Sequence, residues 1–92
     1  MTLAVNHHEA AQRFEAVVEG QRCELNYTLK APVMSMNRVF VPPPLEGRGI
    51  AGVITRYAPD TCIEQGWSVI PRCPYVAAWI RRHPDYQSVV AD

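Results

Sequence analysis

Val41-Pro42-Pro43-Pro44-Leu45-Glu46-Gly47-Arg48-Gly49-Ile50-Ala51 is where this chain changes character. Upstream, apolar residues recur every second position. Downstream, they recur at helical spacing. From Arg13 to Glu19, Phe14, Ala16 and Val18 alternate with Arg13, Glu15, Val17 and Glu19, the mark of a half-buried strand. Gly20-Gln21 supplies a turn. From Arg22 to Lys30, Cys23, Leu25, Tyr27 and Leu29 alternate with charged and polar residues, so the two runs predict an antiparallel hairpin. Ala31-Pro32 breaks the second strand. Val33 to Val41 predicts a third, whose phase slips near Asn37-Arg38, as at a β-bulge. Pro42-Pro43-Pro44 ends it, because proline cannot donate to a ladder.

Beyond the prolines, Gly49 to about Gln65 predicts a helix with Ile50, Val53, Ile54, Tyr57 and Cys62 along its inner side. Pro59 should kink it or start a second segment. Gly66 suits a C-terminal cap. Trp67 to Pro71 reads as a short buried strand. Tyr75 to His83 reads as a final helix with Val76, Trp79 and Ile80 inward, closed by Pro84. The order is β-β-β-α-β-α. It predicts an α+β domain of three antiparallel strands, then α-β-α, with the last strand parallel to the third. The domain covers residues 11–92, after a flexible lead-in at 1–10.

The 92 residues suffice for one small domain. The chain is 48% hydrophobic and 20% charged with zero net charge, as in a soluble globular protein. No apolar run reaches the roughly 20 residues that span a bilayer, and the N-terminus lacks a signal-peptide pattern. We therefore expect a cytoplasmic protein that binds no membrane. Cys23, Cys62 and Cys73 are odd in number and widely spaced, which fits a reducing compartment rather than a disulfide framework. Without clustered ligand pairs no metal is expected, and His7-His8 reads as a solvated pair. Residues 38–82 carry six positive charges against three negative. That excess is too small for nucleic acid but favours a compact anionic ligand.

Gly47-Arg48-Gly49-Ile50-Ala51-Gly52 matches the dinucleotide fingerprint GxGxxG. In that motif the first glycine directly follows a strand inside a repeated βαβ unit. Here five residues separate Val41 from Gly47, and the chain holds one crossover. The underlying physics still applies. A glycine turn opening a helix leaves convergent N–H groups, the helix dipole adds positive charge, and Arg48 adds a cation. A plain turn and helix start remains the alternative.

Three segments at consistent spacing add more: Val41 to Ala51, Val69-Ile70-Pro71-Arg72-Cys73-Pro74-Tyr75-Val76, and Arg81-Arg82-His83-Pro84-Asp85-Tyr86. Together they resemble the short, single-domain branch of the GCN5-related N-acetyltransferases, from about Phe14 to Tyr86. The resemblance implies acetyl-coenzyme A (acetyl-CoA) as co-substrate and an amine acceptor of unknown identity, with a peptide or protein as the candidate. It implies that Glu46, Gly47, Arg48, Gly49, Ile50 and Ala51 hold the pyrophosphate. It also implies that the pantetheine arm pairs with the strand ending at Val41. Glu46 stands where larger members of the family carry arginine or glutamine. Arg38 and Val39 stand where the short branch often carries His-Thr.

Larger members often use a tyrosine of the last helix as acid, but Trp79 or Ile80 falls in its place here. Short-branch proteins are similar at Pro71-Arg72-Cys73. Cys73, at a helix start beside Arg72, is the expected catalytic residue, as acyl acceptor or general acid. A small buried hydrophobe is the other reading of Cys73. Arg81 is a candidate contact to a CoA phosphate, or simply a favourable charge at a helix C-terminus. The chain lacks the N-terminal helices that complete the acceptor site in larger members. The groove is then open, in a monomer or closed by a second copy in a homodimer. The functional expectation is an acetyl-CoA-dependent N-acetyltransferase. A non-catalytic acyl-CoA-binding module is the alternative.

Overall fold

The structure, a computed structural model, describes residues 3–91. Five strands form one sheet in chain order: β1 (Asn6–His8), β2 (Arg13–Val18), β3 (Gln21–Lys30), β4 (Val33–Phe40) and β5 (Ser68–Pro71). The first three pairings are antiparallel, and β4 pairs with β5 in parallel. Helix α1 (Ile50–Gln65) connects those two strands, and α2 (Pro74–Arg81) follows β5. A 3-10 turn at Pro43–Leu45 precedes α1, and a second 3-10 segment, Pro84–Val89, follows α2. The α+β class and the parallel last strand agree with the sequence reading.

Within the expected lead-in, Asn6–His8 pairs with Arg13–Glu15 as an edge strand. Met1 and Thr2 of the lead-in lie outside the described residues. His7 explains the order. Its ring stacks on Phe14 with centroids 4.0 Å apart and hydrogen-bonds the Tyr27 hydroxyl at 2.6 Å. The pair read as solvated is therefore half internal. His8 Nε2 pairs with Glu15 on the opposite face.

The predicted phase slip is real. Asn26 pairs with Arg38 but Tyr27 pairs with Met36, so Asn37 is the extra residue of a bulge. Its side-chain amide donates to Thr28 Oγ1 at 2.9 Å. The bulge lets Met34 and Met36 before it, and Val39 after it, all face the core.

The core lies between one face of the sheet and α1. Phe14, Leu25, Met34, Met36, Ile50, Ile54 and Val69 are almost fully buried. Each such side chain contributes about 1.5–3 kcal/mol relative to exposure. The buried stripe of α1 steps by four through Ile50, Ile54, Ala58 and Cys62. That spacing leaves Tyr57 on the shoulder, exposed rather than inward as expected. The helix runs unbroken through Pro59, so the expected second segment does not form. Gly66 ends it in the left-handed region, φ 74°, as its C-cap. Helix α2 starts with Pro74, whose missing N–H costs nothing at that position. It buries Val76, Trp79 and Ile80 as expected. The C-terminal stretch lies along the outer edge of β5, where Ala91 N–H donates to the Val69 carbonyl at 2.8 Å. No described helix is long and apolar enough to cross a membrane.

Candidate functional site

Two features of the backbone create the site. The first is a gap in the sheet. Strands β4 and β5 pair from Val33–Ser68 to Met36–Pro71 and no further. The Cys73 N–H takes the Met36 carbonyl at 2.9 Å, and the chain then turns away into α2. Past Met36, β4 keeps β3 on one side and has no strand on the other.

The second feature is the start of α1. Gly47 and Gly49 have φ of 82° and 80°, a region in which a side chain is strained. Gly49 is the N-cap and brings no side-chain cap. The first intrahelical bond is Val53 N–H to the Gly49 carbonyl, at 3.2 Å. The N–H groups of Ile50, Ala51 and Gly52 therefore have no acceptor within the helix, at the positive end of its dipole.

These features meet in one groove made of two adjoining hollows. One, of about 320 Å³, is lined by Val39, Phe40, Val41, Pro43, Glu46, Ala51 and Tyr75. The other, of about 260 Å³, runs along the helix start past Gly47, Gly49 and Ile50. Val41, Glu46, Ala51 and Tyr75 line both. Six sequence-predicted residues thus come together here: Val41, Glu46, Gly47, Gly49, Ile50 and Ala51.

Three others do not line the groove. Arg48 pairs with Glu19, at the turn between β2 and β3. Cys73 is buried at the N-cap of α2, 7% exposed, at the inner end of the gap. Arg81 is exposed in the last turn of α2. It lies six residues after Tyr75, about 120° around the helix, whereas Arg82, seven residues on, shares the Tyr75 face. The charge of Arg82 accordingly acts on the Tyr75 hydroxyl. The pKa of that hydroxyl is raised, mainly by burial, so it stays protonated as a donor.

Val39, Phe40, Pro43 and Leu45 also line the groove without being expected site residues, and so does Tyr75. An ideal Cβ at Gly52 would stand 3.4 Å from its hydroxyl and 3.7 Å from Trp79 Nε1. The third glycine of GxGxxG therefore faces the start of α2, while the first two shape the turn. A tyrosine directly after Cys73-Pro74 was the available signal.

The other two cysteines are chemically quiet. Cys23 and Cys62 are fully buried, and burial pushes the Cys62 thiol up to about 11. Cys62 lies 3.7 Å from the Met34 sulfur. Among the described residues no three His, Cys, Asp or Glu side chains gather to hold a metal ion.

A sheet that opens beside a glycine-initiated helix is the frame of the site. Residues 13–89 match the model of the GCN5-related N-acetyl-transferase family. The chain belongs to that family, whose members are N-acetyltransferases. Its fold is similar to the NMR solution structure of a GCN5-like protein from Staphylococcus aureus, with a TM-score of 0.75 at 16% identity. The likeness covers 97% of this chain and 88% of that one. No curated protein sequence is significantly similar to the chain.

Proposed function

We propose that the chain transfers an acetyl group from acetyl-CoA to an amine, with the groove as the CoA site. The observation that carries this is the continuity of the groove from the unpaired edge of β4 to the free N–H groups of α1. The pantetheine arm carries amides that suit an open strand edge, and the edge at Val39 to Val41 offers them backbone partners. The pyrophosphate suits the N–H groups at Ile50, Ala51 and Gly52, which glycine leaves unobstructed. Tyr75 adds a hydroxyl donor at the same end. Glu46 contributes backbone and wall, since its carboxylate repels a phosphate. Arg48 contributes in one of two ways, by holding the loop through Glu19 or by turning to the ligand. Arg81, at the far end of α2, is left for a phosphate outside the groove.

Threaded this way, the thioester reaches the inner end of the gap, where Cys73 sits. In the reading with a covalent step, the Cys73 sulfur attacks the acetyl carbon, and the bond to the CoA sulfur breaks. The proton of Cys73 passes to the departing CoA thiolate. A neutral amine then attacks the acetyl-cysteine, the amide forms, and the cysteine recovers a proton from the amine.

The ligand test is a thermal shift with acetyl-CoA. A ligand at 100 times its Kd stabilises by about 2.7 kcal/mol, several degrees for a domain of this size. No shift at millimolar concentration (about 1 mM, at or above ordinary CoA affinities) would sink the proposal. The covalent step is tested with labelled acetyl-CoA and mass spectrometry of the Cys73 peptide. Transfer that survives Cys73→Ala rejects the nucleophile and keeps the enzyme.

A further inference from the structure

The face of the sheet away from α1 has two halves with different chemistry. Over β1, β2 and β3 the charges are matched. Glu15, 9% exposed, lies among His8, Arg13 and Arg22, and Arg22 also reaches Glu24. Over β3, β4 and β5 the face is hollowed into a groove of about 470 Å³. No helix residue lines it. Val33, Ser35 and Ile70 form a half-buried floor, and Lys30 and Arg72 stand at its rim.

Three facts bear on what fills it. First, the cations are unmatched: no acidic residue lines the groove, and neither Lys30 nor Arg72 is in an ion pair among the described residues. Second, they are far apart. Lys30 pairs across from Val33, whereas Arg72 follows Pro71, the partner of Met36. The floor between them runs about four residues along β4, roughly 13 Å, and crosses from β3 to β5, two strand spacings or roughly 10 Å, which puts the two positions roughly 16 Å apart. Third, the groove leads to the gap. Arg72 immediately precedes Cys73, and Asn37 of the bulge, which also lines the groove, immediately follows Met36, whose carbonyl holds the Cys73 N–H.

We infer that this groove is the acceptor site and that it takes an extended peptide with acidic residues flanking the amine to be acetylated. The inference rests on the acetyl-CoA reading above and adds the substrate class. A compact amine acid would need one cation and an enclosing pocket. Two cations roughly 16 Å apart across an open floor match acidic side chains spaced along an extended chain. Arg72 has a second effect. A cation beside the incoming amine disfavours its ammonium form, and only the neutral amine attacks the thioester. The transfer balances simply: the C–N bond forms, the C–S bond breaks, and the proton lost from nitrogen goes to the CoA thiolate. Binding that overcomes the repulsion between Arg72 and the ammonium comes from the flanking carboxylates.

The test uses three fluorescein-labelled peptides of equal length, each with one central lysine flanked by Asp/Glu, by Ala or by Arg. Anisotropy reads binding, and thiol release from acetyl-CoA reads transfer. The acid-flanked peptide should be preferred about tenfold, the sum of two exposed ion pairs, and the preference should shrink with added salt. Lys30→Glu should remove or reverse it. Lys30→Ala, milder for the fold, should weaken it, with circular dichroism checking that both variants fold. Equal or basic preference, a preference untouched in both folded variants, or turnover of small amines alone overturns the inference. So does equal binding of a DNA oligonucleotide of the same charge. A missing acetyl-CoA thermal shift strikes the underlying reading instead, so the two failures are distinguishable.

Discussion

The Tyr75 hydroxyl stands one methyl group away from Gly52, 3.4 Å from where a Cβ at that glycine would lie. The tyrosine is also a wall of the groove. Gly52 is helical and has no positive φ, so a methyl group there is at ordinary contact. Gly52→Ala should therefore stabilise the fold by about 0.5–1 kcal/mol through helix propensity. Urea unfolding checks the sign.

Gly49→Ala should do the opposite. Open space surrounds its missing Cβ, but φ is 80°. The cost is backbone strain, about 1–2 kcal/mol. If the loop binds the pyrophosphate, relaxing that strain turns N–H groups away and weakens acetyl-CoA binding about tenfold or more, as calorimetry would read it. Space alone would make alanine harmless at Gly49, so the two glycines separate conformation from packing.

How far the sequence could be read follows from the same distinction. Period-two alternation in Arg13 to Lys30 reports a face, and a face is local, so the hairpin and the bulge at Asn37 were legible. Glycines at a turn report φ, which is also local. The Asn6–His8 strand was hidden because its order comes from His7 packing on Phe14 and Tyr27, contacts between distant residues. Tyr75 was hidden for the same reason, since its role depends on α2 crossing α1 at Gly52. The Pro84–Val89 segment, with Tyr86 and Val89 buried, had no periodicity long enough to see. Arg82 rather than Arg81 facing Tyr75 was available from helical spacing but depends on knowing which face mattered.

Thr55 is fully buried, and its hydroxyl has no hydrogen-bond partner among the described residues. A buried unsatisfied hydroxyl costs about 1–3 kcal/mol. Thr55→Val keeps the shape and replaces that oxygen with a methyl group. It should raise stability by about 1 kcal/mol, where Thr→Val at a satisfied site lowers it. A lowered unfolding midpoint would show that the hydroxyl has a partner after all.

His7 makes the N-terminal strand sensitive to pH. Burial lowers its pKa below the ordinary 6.5, with the charge of Glu9 opposing and that of His8 assisting. The unfolded chain therefore binds the proton more readily than the folded one. Stability is fully present above pH about 6.5 and falls as the pH drops through the lowered native value. Protonated His7 can no longer accept from the Tyr27 hydroxyl, and its stacked place against Phe14 becomes that of a buried cation. The expected outcome is a decline in unfolding free energy as the pH falls below about 6.5 that is smaller in His7→Gln. Hydrogen exchange should locate the loss at β1 and its partner β2 before the rest of the sheet, because β1 is an edge strand three residues long. A decline of equal size in the variant would show that His7 is not its source.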